Sequence, residues 1–132
     1  MIKEGKELIL LVDDDKFLLD MYSVKFRESG KEVEVCLGGK SALDYLRGGF
    51  KASVIVIDIV MPNIDGLTLL EAIKKEKLGG NPTVIILSNQ GEQEDIDKAM
   101  KLGADGYIIK ASAIPSEVLE RVDEIVKNKK HK

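Results

Sequence analysis

Cysteine, histidine, excess positive charge and long apolar runs are all scarce in this chain, and each shortage closes off a class of protein. Cys36 is the only cysteine among 132 residues, so no intramolecular disulfide can form. It ends a predicted strand and reads as a small buried hydrophobe rather than a reactive thiol. The only histidine, His131, lies in the tail and is no candidate metal ligand. No apolar stretch reaches the roughly 20 residues of a membrane span, and the opening MIKEGKEL lacks the apolar region of a secretory signal. The expectation is a soluble, cytoplasmic protein without a membrane partner. A net charge of -3 argues against a nucleic-acid surface. The one basic cluster, Lys127, Lys129, Lys130 and Lys132, reads as a solvated terminus. There is no internal repeat, low-complexity tract or linker, and the length suits one domain over residues 1–132, with a core at about 7–127 and a basic tail at 128–132.

What the chain does have is concentrated in residues 54–66, VIVIDIVMPNIDG. A nearly unbroken apolar run carries one carboxylate, Asp58, and then breaks at Pro62, Asn63 and Gly66. Apolar residues on both sides of Asp58 read as a strand of a parallel sheet buried on both faces, with a loop leaving it. In open parallel sheets the crevice that binds ligands lies at the carboxyl ends of the strands, which displays Asp58 rather than entombing it.

Similar short apolar runs recur between amphipathic segments. Strands are predicted at 7–12, 32–36, 53–58, 83–87 and 105–109. Helices are predicted at about 16–29, 40–47, 66–77, 92–102 and 115–127. The first helix should turn Leu18, Met21, Tyr22, Lys25 and Phe26 towards one face, with Gly30 ending it. Residues 32–36 alternate Val33 and Val35 with charge, as a half-covered edge strand does. The helix at 92–102 has only a thin apolar stripe, Ile96, Ala99 and Met100, which makes for weak, adjustable docking. Pro115 suits the first turn of the last helix. Five strands alternating with five helices give a doubly wound α/β fold, a parallel sheet covered on both faces.

That fold gathers the ends of four strands at one edge: Asp13, Asp14 and Asp15 after the first, Asp58 after the third, Ser88 after the fourth and Lys110 after the fifth. Carboxylates about 4 Å apart repel by roughly 4 kcal/mol per pair at the effective dielectric of a protein surface, so the cluster calls for a cation or raised pKa values. All-oxygen ligands suit Mg²⁺, Mn²⁺ or Ca²⁺ far better than zinc. With such an ion and Lys110 beside it, Asp58 is placed to act as a nucleophile towards phosphorus, and the Ser88 hydroxyl to donate a hydrogen bond. Asp15 is equally suited to capping the first helix or touching the metal. Taken singly, Ser88 reads as a turn residue and Lys110 as a surface charge. Asp58 and Asp14 have no such inexpensive structural explanation.

The segments LILLVDDD, VIVIDIVMPNIDG, VIILSNQ and GADGYIIK, in this order and spacing, resemble the receiver domain of bacterial two-component response regulators, across nearly the whole chain, from residue 8 to about 127. The resemblance implies a five-stranded parallel sheet of flavodoxin-like order 2-1-3-4-5, and a chemotaxis-regulator-like switch rather than an enzyme, either a stand-alone receiver or a receiver cut from a larger protein. It implies that Asp58 accepts a phosphoryl group from a histidine kinase or phosphotransfer protein. Mg²⁺, or Mn²⁺, would be held by Asp14 directly, Asp13 partly through water, Asp58 and the backbone carbonyl of Val60. Ser88 would match the hydroxyl residue that swings towards the phosphoryl group, Lys110 the lysine that pairs with it, and Tyr107 the aromatic whose ring moves inward on activation. The surface between the fourth and last helices would then meet a downstream protein partner, with the chain a monomer or a weak phosphorylation-dependent dimer.

Two departures stand out. Ala111 follows Lys110 where the family usually has a proline after a cis bond, and a cis Lys110–Ala111 bond would cost about 3 kcal/mol, so either a trans bond or a strained cis bond is expected. Asn89 follows Ser88 where a small residue is usual, and with Val60 and Gln90 it flanks the site. Other classes fare worse. A haloacid-dehalogenase phosphatase needs a second acid two residues after the nucleophile, where Val60 stands. A flavodoxin-like FMN binder needs a first loop that cradles phosphate, which Asp13, Asp14 and Asp15 would repel. A P-loop NTPase needs a GKS or GKT loop. The alternative within the fold is a receiver-like interaction module that works without phosphorylation.

Overall fold

The computed structural model describes residues 7–89, 91–110 and 114–130. Its strands are β1 (Leu8–Asp13), β2 (Glu32–Leu37), β3 (Val54–Ile57), β4 (Thr83–Ser88) and β5 (Gly106–Ile109). Its helices are α1 (Lys16–Glu28), α2 (Gly39–Arg47), α3 (Gly66–Glu76), α4 (Gln93–Lys101) and α5 (Pro115–Lys130), with a short 3₁₀ turn at Leu78–Gly80 before β4. Every strand pair is parallel, and the order is β2-β1-β3-β4-β5, as the resemblance implies. Among the described residues no helix is long and apolar enough to cross a membrane.

Side chains alternate across a strand, so the sheet divides its apolar residues between two layers. Leu10, Val12, Ile55, Ile57, Val84 and Ile86 face α2, α3 and α4. Ile9, Leu11, Val54, Val56, Ile85, Leu87 and Ile108 face α1 and α5. β3 and β4 are buried on both faces, which is why they read as unbroken apolar runs rather than alternating ones.

The helix ends follow local chemistry. The Asp15 carboxylate accepts the Phe17 and Leu18 amides at the start of α1, and Asp65 accepts the Thr68 amide at the start of α3. Lys77 closes α3 in the left-handed conformation. Two details of the packing differ from the sequence pattern. Leu19, with Tyr22 and Phe26, forms the buried stripe of α1, while Leu18 and Met21 are half-buried at its margin. On the edge strand β2, Val33 and Cys36 are buried and Val35 is exposed. On α4 only Ala99 is buried and Met100 is exposed, so its apolar stripe is as thin as expected.

Candidate functional site

The register places the acidic and basic groups by arithmetic. Val12 pairs with Ile57 and the Asp58 amide donates to the Val12 carbonyl at 3.0 Å, so the next step of the ladder sets Asp13 beside Asp58. Asp13 and Asp58 each stand two residues beyond an α1–α5-facing neighbour, Leu11 and Val56, and Lys110 stands two beyond Ile108. All three therefore start from the α1–α5 face. Ser88 stands two beyond Ile86 and Tyr107 pairs with Ile86, which puts both on the α2–α4 face. Across the sheet's upper edge the Asp58 charge acts on the Tyr107 hydroxyl.

Asp13, Asp14 and Asp58 each offer a carboxylate oxygen within 4.8 Å of the others. Asp13 and Asp58 are buried and Asp14 is exposed at the mouth. The Lys110 ammonium donates to Asp13 Oδ2 at 2.8 Å and lies 3.6 Å from Asp58 Oδ1. Asp13 Oδ1 accepts the Asp15 amide at 3.0 Å. One lysine facing three carboxylates leaves the cluster negative, and a hard all-oxygen site of this kind fits Mg²⁺. Asp15 spends its carboxylate on the α1 cap and is not among the converging groups.

Burial pushes the Asp58 carboxyl up to about 6. The Lys110 charge and the Ile59 amide act downwards, while Asp13 and Asp14 add to the rise. Burial also acts on Lys110, downwards, but the Asp13 hydrogen bond and the Asp58 and Asp13 charges outweigh it, and its pKa ends above the ordinary lysine value. The two shifts are compatible. Lys110 is engaged mainly by Asp13, so its compensation of Asp58 is partial.

Ser88 is completely buried, and its side chain shares a hydrogen bond with the half-buried Tyr107 hydroxyl. Val60 follows Asp58 on the loop into α3 with its side chain exposed, and Asn89 is also exposed. Gln90 and Ala111, and with Ala111 the Lys110–Ala111 bond, lie outside the described residues, as does His131. Two residues at the site carry no chemical signature in the sequence. Gly66 is packed so closely that a Cβ there would strike the Asp58 carbonyl oxygen and lie 2.8 Å from Ile59 Cα. Tyr22 lines the inner wall of the cluster, and only its helical spacing marks it as buried.

Comparison with known proteins agrees with this geometry. The response regulator receiver domain model matches residues 9–123. The response regulator SaeR of Staphylococcus aureus is 29% identical over 118 residues, covering 89% of this chain and 50% of that protein. The chain thus spans about half the length of the curated relatives it matches. Among solved structures, the receiver domain of the Francisella response regulator 1452 superposes with a TM-score of 0.82 at 35% identity, covering 94% of this chain and 99% of that one. A CheY-like receiver domain protein from Methanospirillum hungatei gives 0.84 at 27% identity, with 96% and 98% covered.

Proposed function

Because the chain belongs to the receiver-domain family of response regulators, we propose that Asp58 is its phosphoacceptor and that phosphorylation changes the surface formed by α4, β5 and α5. The observation that carries this reading is the convergence of three carboxylates and one lysine at the ends of strands distant in sequence. The donor is a phosphohistidine of a histidine kinase or phosphotransfer protein. An Asp58 carboxylate oxygen attacks phosphorus, the new P–O bond forms as the P–N bond breaks, and the electron pair leaves with the imidazole, which takes up a proton.

Asp14, Asp13, Asp58 and the Val60 carbonyl would hold Mg²⁺, or Mn²⁺ in its place, which when bound supplies positive charge to the phosphoryl oxygens. The chain's own residues do the rest. Lys110 exchanges part of its contact with Asp13 for a phosphoryl oxygen, compensating a group of roughly -2 charge. Ser88 turns its hydroxyl from Tyr107 to another phosphoryl oxygen, and the Tyr107 ring follows the space it leaves. The thin contact of α4, through Ala99, lets that helix adjust at low cost. A downstream protein that prefers the adjusted surface, where Met100 and Ile114 are exposed, then reads the signal.

Incubation with Mg²⁺ and acetyl phosphate should add one phosphoryl group at Asp58, and beryllofluoride should form an adduct there. Asp58→Asn should abolish both and leave the fold intact. An unchanged mass after acetyl phosphate, with no Mg²⁺-dependent response to beryllofluoride, would overturn the reading.

A further inference from the structure

Lys110 leaves the end of β5, yet its ammonium bonds Asp13 on β1. Between those strands lie β4 and β3, three inter-strand steps or roughly 14 Å. The lysine chain must therefore lie across the row formed by Leu87 and Asp58. Something has to hold so long and rotamer-rich a side chain on that path. The wall facing it is α1, where Tyr22, only 6% exposed, lines the same cavity as Asp13, Asp58 and Leu87. The cavity measures about 10 Å³, room for one water at most, so Tyr22 stands close against Asp13, Asp58 and Leu87. The phenol is close enough that the Lys110 and Asp13 charges both act on it, and it acts on Lys110 in turn.

We propose that Tyr22 is the positioning residue for Lys110: its ring closes the inner wall over the lysine, and its hydroxyl, on which the Lys110 and Asp13 charges act, is the acceptor that keeps the ammonium in the cluster when Asp13 and Asp58 engage a cation. Lysine has three N–H donors and no acceptor, so an oxygen that carries no formal charge keeps Lys110 in place without competing for the metal. This role is separate from metal ligation, and it deepens the phosphoacceptor reading by assigning how Lys110 is held ready.

The test compares Tyr22→Phe, which keeps the ring, with Tyr22→Leu, which keeps only apolar bulk. The first readout is independent of phosphorylation: NMR relaxation at the Lys110 Nζ and Cε with and without Mg²⁺. Both variants should make Lys110 more mobile, most clearly with Mg²⁺ present, while the other lysines stay as they were. Unchanged Lys110 order in Tyr22→Phe overturns the proposal. The second readout is the rate of modification by acetyl phosphate at saturating Mg²⁺. Tyr22→Phe should slow it about threefold or more in the parent protein and have no effect in a Lys110→Ala background, the non-additivity of residues that act as one unit. Equal slowing in both backgrounds would mean a general structural effect and also overturns it. If acetyl phosphate leaves even the parent unmodified, the phosphoacceptor reading fails, and Lys110 relaxation still decides the role of Tyr22.

Discussion

The Lys110 ammonium lies 2.8 Å from Asp13 Oδ2 and 3.6 Å from Asp58 Oδ1, so one buried cation is hydrogen-bonded to the first carboxylate and only a neighbour of the second. Removing it leaves Asp13, Asp14 and Asp58 facing one another without compensation. Lys110→Ala should therefore lower the stability of the metal-free protein by about 3 kcal/mol, the low end for breaking a buried pair because Asp14 remains in contact with water. Added Mg²⁺ should restore part of that loss by binding only the folded state. Urea unfolding with EDTA and with Mg²⁺ measures both effects. Equal stability of parent and variant in EDTA would contradict the compensating role.

Asp58 makes the opposite prediction. Its pKa rises from 3.8 to about 6 on folding, so the folded state favours the neutral acid. The contribution of this group to stability is therefore greatest below pH 3.8 and is lost as pH rises through about 6. An asparagine carries no charge at any pH. Asp58→Asn should thus be more stable than the parent at about pH 8 without metal, by up to about 3 kcal/mol, and the advantage should vanish near pH 4. Denaturant midpoints across that range, in EDTA, provide the check. A pH-independent difference would assign the gain to packing instead.

Ser88 and Tyr107 are joined on the α2–α4 face by one hydroxyl–hydroxyl hydrogen bond. Ser88→Ala, Tyr107→Phe and the double variant form a cycle whose coupling energy should be about 1 kcal/mol in the unphosphorylated protein. With beryllofluoride bound, the Ser88 hydroxyl is drawn to the phosphoryl mimic and the coupling should fall towards zero. A coupling unaffected by beryllofluoride would mean that the pair is not the moving part of the switch.

The strand ends were legible in the sequence because a parallel sheet buried on both faces writes itself as apolar runs, and Asp58 is conspicuous within one. The division of the site between two faces is not legible in the sequence alone: two-residue alternation ties Asp13 to Leu11 and Ser88 to Ile86 within a strand, but only the register between strands says which of these faces coincide. What helical spacing does not give is the height of a helix along the sheet. Tyr22 is recognisable as inward-facing, but whether it meets apolar residues or the carboxylates depends on where Asp15 starts α1, two residues after Asp13. The shift of the buried stripe from Leu18 to Leu19 has a different cause: a rotation of one helix about its axis by a fraction of a turn has no sequence signature either.

Gly66 is the position where the fold and the site constrain each other most directly. It opens α3 just after the Asp65 cap, and its amide donates to the Ile59 carbonyl at 2.8 Å. Its backbone is unremarkable, without a positive φ. A methyl group there would nonetheless meet the Asp58 carbonyl oxygen and Ile59 Cα, both backbone atoms that cannot turn aside. Gly30 is the contrast, because its φ of +92° disfavours other residues but a Cβ there meets open space. Gly30→Ala should cost about 1 kcal/mol through conformation alone. Gly66→Ala should cost about 3 kcal/mol through overpacking. It should also slow acetyl phosphate modification, since relieving the clash moves the peptide that carries Asp58. Urea midpoints for the two variants, with modification rates measured on each, separate the effects. A Gly66→Ala protein as stable and as readily modified as Gly30→Ala would show that the α3 entrance can yield without disturbing Asp58.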